Sequence, residues 1–155
     1  TLIRYAEVLL NYAEATYELN EAISDTDLDM SINLLRERAS VNIPKLTNSL
    51  VSANQLNMRE EIRRERRVEL ALEGFRYWDL IRWKTAEIEL PKTVLGNYFF
   101  EDEYGNTVIP EVTNDNVIIL QKSDTRNFNP NKDYLWPIPT DQISLNPNLE
   151  QNPGW

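Results

Sequence analysis

A chain of 155 residues with 16 basic and 25 acidic side chains, net charge −9 and neither Cys nor His fits one domain able to bury about two-thirds of its unfolded surface. The acidic excess excludes nucleic acid as a partner, because backbone recognition relies on many uncompensated Lys and Arg. The missing His and Cys remove the usual general base, the thiol nucleophile and the commonest metal ligand, and no run approaches the roughly 20 apolar residues that span a bilayer.

In chain order, residues 2–19 are predicted as a first helix. Arg4, Glu7, Asn11, Glu14 and Glu18 form a polar stripe opposite Leu2, Ala6, Leu9 and Ala13. Ile3, Leu10, Tyr12 and Tyr17 widen the apolar face, as in a helix touching two neighbours. Residues 25–29 read as a loop, and 28–39 as a second helix with Leu28, Ile32, Leu35 and Ala39 on one side, so that the two helices make a hairpin. Ala6, Ala13, Ala15 and Ala39 permit close approach. The alternating acids Asp25, Asp27 and Asp29 suggest a calcium loop, but Met30 stands where the turn glycine belongs and Arg36 where the bidentate Glu belongs. Asp27 or Asp29 is therefore expected to cap a helix.

Residues 40–51 form a connection containing Pro44, after which Ser52-Ala53-Asn54-Gln55 has the form of a capping box and starts a third helix near Ala53. It runs to Gly74, where a left-handed residue is expected to break it, and a shorter amphipathic helix follows over 75–85. Between residues 59 and 73 the charges repeat wrongly for local pairing. Arg59 with Arg63, Glu61 with Glu65, Arg63 with Arg67, Glu65 with Glu69 and Glu69 with Glu73 are like-charged at a spacing of four, and only Glu60 with Arg64 is opposite. The partners must lie elsewhere in the fold, which favours a half-buried helix over an anion site. Trp78, Trp83 and Trp136 are assigned to the core.

From Pro91 onward Pro, Asn and Gly punctuate short apolar runs such as Val117-Ile118-Ile119-Leu120, an irregular excursion with one short hairpin. Pro137, Pro139, Pro147 and Pro153 fix backbone angles and keep an irregular tail ordered. Two chemistries can be read from the loops. Tyr98, Phe99, Phe100 and Tyr104, interleaved with Asn97, Glu101, Asp102 and Asn106, offer flat rings and polar partners for a sugar, although the plainer reading is that the rings pin the loop. Glu101, Asp102, Glu103, Glu111 and Asp115 include enough carboxylates for glycoside hydrolysis, but nothing fixes their separation, and catalysis is not expected.

The stretch 65–83 also carries a resemblance. Glu65-Arg66-Arg67, Glu69-Leu70-Ala71, Glu73-Gly74, Arg76-Tyr77-Trp78-Asp79-Leu80 and Arg82-Trp83 resemble the signature helix pair of the SusD/RagB family of outer-membrane glycan-binding lipoproteins. Arg4-Tyr5-Ala6-Glu7-Val8-Leu9-Leu10-Asn11-Tyr12-Ala13-Glu14-Ala15 and Ile32-Asn33-Leu34-Leu35-Arg36-Glu37-Arg38-Ala39 are similar to two earlier helices of that family. Tyr134-Leu135-Trp136-Pro137-Ile138-Pro139 and Gln151-Asn152-Pro153-Gly154-Trp155 are similar to its C-terminal run.

The resemblance implies a mainly α fold of tetratricopeptide-like helical hairpins, an α/α superhelix, with a long irregular, proline-rich C-terminal region. Residues 1–85 would be scaffold and 86–155 an excursion and tail packed on it. It implies a C-terminal portion of a longer, surface-exposed lipoprotein, whose lipid anchor lies outside this chain. Such a protein binds a glycan without catalysis or cofactor and works with a SusC-like TonB-dependent transporter. Starting at Thr1, without Met, the chain is expected to begin inside a structure. Arg66, Arg67, Glu69, Gly74, Arg76, Trp78, Asp79 and Trp83 would then be structural, and Tyr98, Phe99, Phe100 and Tyr104 the glycan-binding candidates. The competing expectation is a helical protein-interaction module with no glycan role.

Overall fold

The computed structural model describes residues 3–40, 42–104, 108–123 and 126–155, of Tyr104 only the backbone. The chain is mainly helical and divides into two compact units, Thr1–Arg76 and Tyr77–Trp155.

The first unit begins with α1 (Tyr5–Asn20), which packs against both α3 (Ile32–Ala39) and α5 (Met58–Glu69), the two neighbours its wide apolar face requires. Its buried residues are Ala6, Leu9, Leu10, Ala13 and Glu14. Glu14, expected on the polar stripe, sits one turn after the buried Leu10 and next to the buried Ala13 and is enclosed with them. Ile3 and Tyr12 remain largely exposed. The Tyr12 hydroxyl is held instead by Asp27 Oδ1 at 2.6 Å.

The second predicted helix is two. Residues expected as a loop form α2 (Asp25–Asp29), capped by neither Asp27 nor Asp29 but by Ser24, whose Oγ accepts the Asp27 amide at 3.1 Å. Ser31 then leaves helical geometry at φ −132°, ψ −96°, with its Oγ donating to Asp27 O at 2.5 Å. A serine hydroxyl competing for helix carbonyls breaks the run before α3. Ala15 and Ala39, assigned to close packing, are exposed.

The expected capping box at Ser52 is also displaced. α4 (Asn48–Ala53) is already under way there, capped by Thr47 Oγ1, and Ser52 Oγ donates back to Asn48 O at 2.9 Å. Helix α5 starts at Met58, where Asn57 Oδ1 accepts the Glu60 amide at 3.2 Å. An Asn three residues before a Glu has the same cap form, and the left-handed Gln55, φ 53°, separates the two helices.

The core consists of α1, α2, α3, α4 and α5 side chains with Ile23, Leu46 and Leu70, in which Leu10, Leu28, Ile32, Leu46 and Ile62 are almost fully enclosed. Asn33 lies within it and binds the Leu46 backbone both ways, Nδ2 to O at 3.0 Å and Oδ1 from N at 2.7 Å, which fixes the irregular connection to α3. Helix α5 stops at Glu69, four residues before Glu73, and Gly74 takes φ 84° ahead of α6 (Phe75–Arg82). The helix thus ends earlier than the predicted Gly74, in a turn over 70–74 where Leu72, φ 65°, is left-handed as well, and Gly74 takes its angle without the cost a Cβ would carry.

The second unit holds the rest of α6, α7 (Ala86–Glu89), β1 (Val94–Tyr98), α8 (Glu101–Tyr104), β2 (Val117–Gln121) and α9 (Thr140–Leu145). Strands β1 and β2 pair antiparallel with Leu95 opposite Ile119 and Tyr98 opposite Val117, the register broken between each pair. The pairing falls on the predicted apolar run. Its two strands are joined by a long connection containing α8 rather than by a tight turn.

Candidate functional site

The charge rows of α5 find their partners across the first unit. Arg36, 7% exposed on α3, donates Nη2 to Glu65 at 2.6 Å and Nη1 to Pro44 O at 2.6 Å. Arg4 forks onto both Glu73 oxygens from Nε at 3.0 and 2.9 Å and also reaches the Glu69 carboxylate and carbonyl. Glu69 receives Arg38 Nη2 at 2.8 Å, and Arg59 Nε meets Glu18 at 2.9 Å. Arg66, 5% exposed, donates to Asn11 Oδ1 at 2.8 Å with its guanidinium 5.5 Å from the Phe75 ring centre. Arg67 points outward and is exposed. Hydrogen bonds from Arg4 hold the Glu73 carboxyl below its ordinary range, while Glu73 and then Glu69 raise the Arg4 guanidinium. Ser24 and Tyr12 lower Asp27 in the same way, and Lys45 with Asn33 lowers Asp29. Asp29 Oδ1 thus serves Lys45, at 3.0 Å, and Asn33, at 2.9 Å. Among the described residues no group of three or more acids could hold a metal ion.

On α6, Asp79 is 3% exposed and takes Arg82 Nε at 2.9 Å, with the Arg82 guanidinium 4.8 Å from the Trp83 ring centre. Arg76 is half-buried. The core assignment of two tryptophans needs correction. Trp78 is 56% exposed, because Asp79 and Leu80 occupy the inward face of α6 and Trp78 stands beside them in edge contact with Tyr77 at 5.3 Å. Trp136 is 66% exposed, held through its backbone carbonyl by Asn152 Nδ2 at 2.6 Å. Trp83 is half-buried.

The candidate sugar-binding aromatics cluster where β1 ends. Tyr98 and Phe100 are about half exposed, and their ring centres lie 4.8 Å apart at 56°. Phe99 between them is 9% exposed, and its amide donates to Asn116 O at 2.7 Å, so one ring turns inward and two outward at the end of β1. The Tyr104 side chain and Asn106 lie outside the described residues. A cleft of about 480 Å³ is lined by all three rings with Glu101, Asp102, Glu103 and Asn116. It therefore combines flat apolar faces with carboxylate and amide acceptors. Glu111 is engaged by Lys122 at 2.8 Å, and Glu101, Asp102, Glu103 and Asp115 are exposed, with no enclosure of the kind that sets a carboxyl up for acid catalysis.

A second cleft, of about 340 Å³, escaped the sequence reading. It is lined by Tyr77, Phe128, Trp136 and Trp155 with Asp133 and Asn127. These residues are scattered along the sequence without a period. No helix among the described residues is long and apolar enough to cross a membrane.

The sequence matches the SusD family over residues 1–155. It is 34% identical over 156 residues to a SusD-like protein of Formosa agariphila, covering 99% of this chain and 25% of that protein. A SusD-like protein of Bacteroides ovatus is 29% identical over 170 residues, 98% of this chain and 29% of its own length. Among solved structures, a SusD-like carbohydrate-binding protein from Bacteroides fragilis superposes with a TM-score of 0.70 at 40% identity, over 96% of this chain and 28% of its own. The chain thus spans about a quarter of the length of these relatives. With the mainly helical fold and the charge network that ties α5 to α1 and α3, it belongs to the SusD family.

Proposed function

We propose that this chain is the C-terminal portion of a longer protein that binds an oligo- or polysaccharide at the outer-membrane surface without cleaving it. The protein hands the glycan to a SusC-like TonB-dependent transporter and is held to the membrane by a lipid anchor outside this chain. The observation that carries the binding reading is the Tyr98–Phe100 pair, two outward rings 4.8 Å apart above a cleft edged by Glu101, Asp102 and Asn116. Pyranose rings present apolar C–H faces to such rings and hydroxyls to such acceptors. Membership of a family that includes a carbohydrate-binding relative supports the same reading. The net charge of −9 on this chain favours a neutral glycan over an acidic one at its clefts. The buried charge network centred on Arg36, Arg66 and Glu69 is scaffold and touches no ligand.

Affinity-gel retardation of the full-length protein over a panel of neutral and acidic polysaccharides tests this, with co-purification of the transporter followed in parallel. Retardation by a neutral glycan is expected. A co-purifying barrel with no retarding glycan would leave a protein-interaction module and refute the binding role.

A further inference from the structure

We infer that the cleft formed by Tyr77, Phe128, Trp136 and Trp155 is a second saccharide-contacting site, separate from the Tyr98–Phe100 cleft. This inference rests on the glycan-binding reading above and extends it to a second site. Three observations carry it.

The first is that the cleft is built rigidly from the C-terminal run. Gln151 binds the Ile138 backbone both ways, Oε1 from N at 2.8 Å and Nε2 to O at 2.9 Å. Asn152 Nδ2 donates to Trp136 O at 2.6 Å, and Trp155 Nε1 to Leu135 O at 2.9 Å. Gly154 adopts φ 84°, and a Cβ there would lie 2.9 Å from Lys132 Cβ, so this glycine permits both the turn and the close approach. Side-chain bonds thus clamp residues 151–155 along 135–138 and set the Trp155 ring in place before any ligand arrives. Preformed walls lower the ordering cost of binding.

The second is exposure. Trp136 and Trp155 remain 66% and 47% exposed although the Trp136 carbonyl and the Trp155 indole Nε1 are both tethered. Large flat rings held open on an ordered surface are what a ring-stacking ligand uses.

The third is charge. Lys132 Nζ stands 3.9 Å from the Trp155 ring centre on the cleft wall, so a cationic ligand meets like charge. Asp133 on the cleft wall repels an anionic one, while Asp133 and Asn127 supply acceptors for hydroxyls. A neutral pyranose with an apolar face fits both conditions.

The test uses full-length protein labelled with 5-fluorotryptophan and titrated by fluorine NMR with the neutral oligosaccharide that retards it best, each indole being assigned by its Trp→Phe variant. The Trp136 and Trp155 signals are expected to move saturably while Trp83 stays, and Trp155→Ala is expected to weaken that titration by about tenfold. Far-UV circular dichroism and the Tm verify that the variant is folded. The Trp→Phe forms keep a flat ring and should retain most of the affinity. If the glycan binds but neither indole signal moves, this cleft is no sugar site, and the glycan-binding reading stands without it. If no saccharide on the panel binds, the glycan-binding reading fails, and the second site fails with it.

Discussion

The two units of the chain are ordered by different physics. In the first, every member of the main apolar core lies at or before Leu70, and five helices share it. Buried charges then lock those helices together, with Arg36 on Glu65 and Arg66 on Asn11. In the second, the buried apolar side chains among the described residues are Leu80, Ala86 and Phe99. Its order comes from tethers: the Tyr134 hydroxyl on Glu87, Lys84 over the Tyr134 ring, and Gln151, Asn152 and Trp155 on the 135–138 backbone. A core surrounds its apolar groups, whereas tethers hold the backbone and leave rings in water. The first arrangement suits a scaffold, and the second suits a surface that offers aromatic faces to a ligand.

That contrast can be broken most severely at Arg36. Its guanidinium is 7% exposed and satisfies both Glu65 and the Pro44 carbonyl. Arg36→Ala leaves the Pro44 carbonyl without this donor and the part-buried Glu65 carboxylate, 16% exposed, with Arg64 Nη2 at 3.5 Å, and should cost about 3–5 kcal/mol in urea unfolding of the full-length protein. A loss below about 1 kcal/mol would mark the pair as a surface contact. Leu10→Ala, at a fully buried position, should cost about 2–5 kcal/mol in the same assay. Gly74→Ala meets no atom within 4 Å but must hold φ 84°, so it should lose only the left-handed backbone term, about 1–2 kcal/mol, with no change in packing.

Acid should act on the first unit in a defined direction. Asp27, Asp29 and Glu73 are held below their ordinary values by Ser24, Lys45 and Arg4 respectively. A carboxyl depressed in the folded state contributes stability above its unfolded value of about 4, and that contribution is lost as pH falls through the lower folded value. The unfolding midpoint should therefore stay level from neutral pH to about pH 5 and then fall below about pH 4, and Glu73→Gln should shrink the fall. The smallest effect belongs to the second unit. Phe100→Ala removes a half-exposed ring and should barely move the Tm while weakening glycan binding, a split that no core substitution can give.

The same contrast explains what could be read in the sequence. Residues with a period were legible. The apolar stripe of α1 and the nonlocal partners demanded by like-charged Glu65 and Glu69 follow from helical spacing, whereas the end of α5 at Glu69, ahead of Gly74, does not. Boundaries set by single hydroxyls and amides were not. Ser24 rather than Asp27 caps α2, Ser31 splits a helix by taking Asp27 O, and Asn57 rather than Ser52 starts α5. Several residue types can make each such bond, and only the fold decides which one does. The tryptophans misled for a related reason. Aromatic bulk and helical spacing predict burial at Trp78, but the inward face of α6 was already occupied by Asp79 and Leu80. At the candidate site, the Tyr98–Phe100 loop was legible as a local cluster. The Trp136–Trp155 cleft was not, since it depends on bonds between segments that carry no pattern.

The most direct test of binding without cleavage is a single incubation of the full-length protein with its best-retarding polysaccharide. Calorimetry would follow saturation, and a reducing-end assay would follow hydrolysis over the same hours. The account predicts saturable binding, weakened by Phe100→Ala, and no rise in reducing ends. Reducing-sugar release that disappears when Glu101 or Asp102 is changed to its amide would contradict it and make the loop carboxylates a glycosidase site.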